Sequence, residues 1–69
     1  MRIKDKELYT IINILSIKYI DYIEKYEREG DEKLLTFYKG KLDTLLEICM
    51  YIDSPLFLEL QLEIEEVLK

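Results

Sequence analysis

Between Leu8 and Tyr26 the chain reads LYTIINILSIKYIDYIEKY, and neither glycine nor proline interrupts it before Gly30. At about 100° per residue, Leu8, Ile12, Leu15, Tyr19, Tyr22 and Tyr26 align at alternating spacings of four and three, a heptad-like seam along one long helix. Ile11 flanks that seam on one side and Tyr9, Ile20 and Ile23 on the other, so the apolar stripe is wider than the two-position seam of a minimal coiled coil. Such a helix needs more than one neighbour. Ile14 and Ile17 even fall on the opposite side, among Thr10, Asp21, Glu24 and Lys25. Isoleucine and tyrosine also favour sheets, but strands need period-two alternation or frequent turns, and this run has neither.

The boundaries of the helices follow from local chemistry. Asp5 is placed to cap the first helix, and Lys25 and Arg28 put positive charge near its C-terminal end. Gly30 suits the residue just past a helix, where a positive φ costs glycine nothing, and Asp31 can cap a second helix at once. The second helix repeats the seam with Leu35, Tyr38, Leu42, Leu45, Cys49 and Ile52. Gly40 interrupts it on the side that carries Phe37, Thr44, Ile48 and Tyr51. A glycine there costs about 1 kcal/mol relative to alanine, which points either to close approach of another backbone or to a kink or a break between two shorter helices. Ser54-Pro55 opens a third element, LFLELQLEIEEVLK. Leu58, Leu60, Leu62 and Ile64 alternate as in a strand, whereas Phe57, Leu60, Ile64 and Val67 follow helical spacing. Leucine and glutamate favour helix, and the chain offers no partner strand, so helix is the expectation and a strand paired between chains the alternative. The helical reading leaves Leu58 and Leu62 on the far side.

The sequence therefore predicts an all-α fold: an antiparallel helical hairpin plus a third helix, in one small domain over residues 1–69, with helices at about 5–29, 32–52 and 55–68. A chain of 69 residues with 49% hydrophobic composition has little room to bury it all. Homodimerisation is expected to complete the bundle.

A net charge of −5 disfavours non-specific nucleic-acid binding, which requires positive charge to displace counterions from phosphate. The lone Cys49 has no cysteine to pair with, and no apolar run reaches the length of a signal core or a membrane span; the expected location is cytoplasmic. No cofactor, metal or catalytic residue is expected. The pairs Glu24 with Glu27 and Glu63 with Glu66 share a helix face, but histidine is absent, and solvated helix ends explain them. Cys49 lacks a histidine to activate it and reads as a small core residue; Ser16 and Ser54 have no neighbouring base. Tyr19, Tyr22, Tyr26 and Tyr38 lie on seams and read as core-lining, with a subunit or partner surface as the other possibility.

The function these features favour is a small acidic protein–protein interaction module, an adaptor, subunit or inhibitor, acting as a homo-oligomer. Its candidate self-association or partner surface comprises Ile14, Ile17, Phe37, Gly40, Ile48, Tyr51, Leu58 and Leu62. Its candidate acidic face comprises Glu59, Glu63, Glu65 and Glu66, either a solvated tail or a match for a basic protein surface. The alternative is a small dimeric DNA-binding regulator, in which Arg2, Ile3 and Lys4 begin a basic reading strand as in ribbon-helix-helix proteins. The first helix is much longer than theirs, and no basic recognition helix follows.

Overall fold

The computed structural model describes residues 5–52 and 54–69, and they form a small all-helical bundle with no strand among them. Helix α1 spans Asp5–Glu29, α2 spans Glu32–Tyr51, and α3 spans Leu58–Leu68, preceded by a 3-10 turn at Pro55–Phe57. The ambiguous third element is therefore a helix, and the strand alternative falls. The arm Met1–Lys4, the capping side chain of Asp5, and Asp53 lie outside the described residues.

Two residues stop α1 and start α2. Gly30 sits at φ 72°; its N–H donates to Glu27 O at 3.3 Å and the Asp31 N–H donates to Tyr26 O at 3.0 Å. This is the Schellman pattern, which satisfies carbonyls that a helix end leaves open. The Asp31 carboxylate then accepts from the Leu34 N–H at 3.2 Å, capping α2 within one residue of the end of the previous motif. At the other end of α2, the Ser54 hydroxyl accepts from the Leu56 N–H at 3.4 Å and Pro55 fills the first position of the 3-10 turn. The Gln61 side-chain amide reaches back from α3 and donates to Cys49 O at 3.2 Å, tying α3 to the C-terminal end of α2.

The core consists of Ile12 and Ile23 from α1, Leu42, Leu45 and Cys49 from α2, Phe57 from the turn, and Leu60 and Ile64 from α3. Phe57 is fully buried and meets the Tyr9 ring edge-on at 5.7 Å. The seams expected for α2 and α3 match these positions. The seam of α1 does not. Its line of burial runs Tyr9, Ile12, Ser16, Tyr19 and Ile23, again alternating three and four, but rotated from the Leu8-Leu15-Tyr22 line. Leu8, Leu15 and Tyr22 are half-buried, whereas Ser16 is 1% exposed. The Ser16 hydroxyl donates to Ile12 O at 2.7 Å, so a polar side chain is hidden with its donor satisfied inside its own helix.

On one line of α1 Tyr9 meets Phe57, and on the other Tyr22 meets α2. There the tyrosines form a separate aromatic cluster around Tyr38, which stacks on Tyr22 at 4.7 Å and on Tyr26 at 5.7 Å and lies 5.9 Å from Tyr19. Such pairs contribute about 0.5–1.5 kcal/mol each beyond the area they bury. Gly40 makes no break: α2 is continuous, and a Cβ added there would meet nothing within 4 Å. Among the described residues no other part of the chain comes close to Gly40, so that reason for the glycine is not met within the chain.

Because Ser16 is almost wholly buried, size decides what the position tolerates. Ser16→Leu should overpack the site and cost about 1–3 kcal/mol, while Ser16→Ala, which trades a local hydrogen bond for helix propensity, should stay within about 1 kcal/mol of the parent. Urea unfolding followed by circular dichroism measures both. Equal stability of the leucine variant would show that Ser16 is not confined.

Candidate functional site

No convergent polar site is present among the described residues. They contain no group of three or more His, Cys, Asp or Glu side chains placed to hold a metal ion, and every buried side-chain nitrogen or oxygen has a hydrogen-bond partner. Glu24 and Glu27 line a shallow depression with Arg28 at the end of α1, without a further acidic ligand. Cys49 is buried, and burial pushes its thiol above the ordinary cysteine range, which disfavours the nucleophilic thiolate.

What the molecule presents instead is apolar surface, and it falls on separate faces. On α1, Ile11, Ile14 and Ile17 follow one another at three-residue steps and fan over about 120° of the helix. Ile14 is 60% exposed. Lys18 and Asp21 share that side, so its charge is balanced. On the outer side of α2, Phe37 and Ile48 stand exposed on the face that holds Gly40 and Thr44. Phe37 leans edge-on against Tyr38 at 5.1 Å, and Lys41 Nζ lies 5.0 Å from its ring centroid, a cation–π contact.

The third face joins the end of α2 to the start of α3. Met50, Tyr51, Ile52, Ser54, Pro55, Leu58 and Gln61 line an open groove of about 590 Å³ there. Met50 and Tyr51 also wall an adjoining depression with Asp43, Leu46 and Glu47, so the two form one trough. Met50 is 63% exposed, Tyr51 89% and Leu58 58%. Leu62 lies one turn beyond Leu58 on the same side of α3 and is similarly exposed.

Ile14, Ile17, Phe37, Gly40, Ile48, Tyr51, Leu58 and Leu62 are thus all solvent-facing, but they do not make one surface. The structure brings Tyr51 and Leu58 together and leaves Ile14 and Ile17 on α1. Met50 and Ile11 extend these faces and were not singled out by sequence. Met50 lies beside the α2 seam and carries no periodic signal of its own; Ile11 flanks the α1 seam by spacing, where a neighbour would cover it, yet it is 50% exposed.

Charge is divided as unevenly as apolar surface. Residues 43–69 contain seven acidic side chains and Lys69 alone in opposition, a net charge of −6, whereas residues 1–42 carry +1. Glu59, Glu63, Glu65 and Glu66 are all exposed on α3. Lys69 Nζ lies 3.8 Å from Glu66, in a pair too solvated to bind strongly. The other three have no ion-pair partner among the described residues. No helix among the described residues is long and apolar enough to cross a membrane. Compared with protein-family models, curated proteins and solved structures, the chain matches none.

The buried thiol gives a direct check of this geometry. With the folded pKa raised, the unfolded chain loses its thiol proton first as pH climbs, so the stability tied to the protonated thiol is present at neutral pH. It is lost as pH rises above the ordinary thiol value of about 8.5. At pH 8, iodoacetamide should label native Cys49 roughly a hundredfold or more slowly than the urea-unfolded chain, because reaction must await opening. Labelling at the unfolded rate would place Cys49 at the surface.

Proposed function

We propose that this chain is a small interaction module: an antiparallel helical hairpin with a third helix across one end, which pairs with a second copy of itself and docks on a protein partner. The observation that carries the reading is the amount of apolar side chain left in water. Among the described residues ten large hydrophobic side chains are exposed against eight in the core, the reverse of what a self-sufficient small domain would display. The accessible surface is 5370 Å². Scaling for a compact chain of this mass gives about 4,600 Å². The elongated bundle therefore exposes more surface than a compact chain of its mass.

Charge selects the face for self-association. A two-fold contact sets each patch against its own copy, so pairing through α3 would bring like charges together. The Ile11-Ile14-Ile17 face of α1 has balanced charge and stiff β-branched side chains, which lose little rotamer freedom on burial. That face is the proposed dimer contact. The cytoplasm remains the expected location. The DNA-binding alternative rests on Arg2, Ile3 and Lys4, outside the described residues, and no feature of the helices adds to it.

Sedimentation velocity at tens of micromolar should give a dimer for the parent and for Leu58→Glu, and a folded monomer for Ile14→Glu. A monomeric parent would overturn self-association, and a dimeric Ile14→Glu variant would move the contact off α1.

A further inference from the structure

We infer that the trough between the C-terminal half of α2 and the outer side of α3 takes a cationic amphipathic helix from a partner protein. This rests on reading the chain as an interaction module and names what the module receives. Three features at one place converge on that occupant. The floor is apolar and adaptable: Met50 brings a flexible, polarizable thioether and Tyr51 a large ring with a polar tip, both well exposed, with Leu58 across from them. The rim is acidic on the α2 side, with Asp43 and Glu47, and Glu65 falls on the side of α3 that carries Leu58 and Gln61, within the segment that carries a net charge of −6. The length also fits. From Asp43 to Tyr51, α2 advances about 12 Å, a little over two turns of a docked helix with apolar anchors at i, i+4 and i+7.

The same charge rules out other occupants. Another copy of this face, an anionic lipid surface and a nucleic-acid backbone would each bring negative charge to a negative rim. An extended peptide adding to a sheet edge has no edge to use, because the described residues contain no strand. The one side-chain amide in the groove, Gln61, already donates to Cys49 O, so recognition falls to apolar contact and to charge at the rim.

The probe is a synthetic 18-residue fluorescein-labelled peptide with leucine at i, i+4, i+7 and i+11 and lysine and alanine elsewhere. Its control keeps the leucines and replaces every lysine by glutamate. Fluorescence anisotropy with the 69-residue chain should show saturable binding of the lysine peptide, weakening several-fold between 50 and 300 mM salt, and at least tenfold weaker binding of the glutamate peptide. Met50→Ser with Leu58→Ser should lower affinity tenfold or more. Glu47→Gln with Glu65→Gln should lower it several-fold and flatten the salt dependence. All four positions are exposed, and circular dichroism checks that the variants remain helical. The Ile14→Glu variant should bind the lysine peptide as the parent does, and its sedimentation separates failure of the dimer from failure of the groove. Absence of binding, equal binding of both peptides, or amide shift changes centred on α1 rather than on residues 46–62 would overturn the proposal.

Discussion

Helix α1 carries more apolar surface than its two neighbours can cover, and the rest of the molecule follows from how that surface is shared. Tyr22 meets α2 and Tyr9 meets the turn at Phe57, while Leu8 and Leu15 pack against the core that Ile12 and Ile23 enter. The two lines share Ile12 and Tyr19, which is why one helix can serve two partners. At 25 residues α1 is about 37 Å long, whereas the 11 residues of α3 reach about 16 Å. The molecule is accordingly 40 Å long but only 13 Å thick between Cα atoms. Beyond the reach of α3, aliphatic packing gives way to stacked tyrosines, whose broad rings can fill a two-helix contact and keep a polar tip for water. Ile11, Ile14 and Ile17 lie on the side that neither neighbour covers.

Most of the architecture was legible because it is written in local chemistry. Gly30 followed by Asp31 specifies an end and a start in adjacent residues, and the structure uses both groups for those purposes. Ser54-Pro55 does the same for the third element. The choice of helix over strand there turned on leucine and glutamate propensities and on the lack of a pairing partner, and both considerations held. The α1 seam was misplaced for a physical reason. A seam drawn from hydrophobicity credits Leu15 and Tyr22 and gives nothing to Ser16, yet a small side chain that satisfies its hydroxyl within its own helix can lie deeper than a large one. Ile23 was set on the flank by the same choice.

The surface was less legible, since periodicity tells which side of a helix turns outward but not which outward sides meet. Tyr51 and Leu58 come from different helices and share a groove only because the turn at Pro55 folds one beside the other. Met50 enters the same groove without any pattern to announce it. Charge needed no structure to be counted, but its meaning depends on the groove: an acidic stretch alone reads as a solvated tail, whereas Asp43 and Glu47 beside exposed Met50, Tyr51 and Leu58 support the proposed cationic ligand. The neutral isoleucine face and the acidic groove thus have different complements, so the proposed pairing with a second copy and the proposed docking of a partner would not compete.

Central to this account is that the apolar surplus on α1 is covered by a second copy, which links folding to association. The most direct measurement is the thermal midpoint as a function of protein concentration. Between about 1 and 300 μM the account predicts a midpoint that climbs by several degrees, because dimerisation stabilises the folded state by mass action. A midpoint that stays constant over that range would contradict it and would show that these helices are stable with their isoleucines in water.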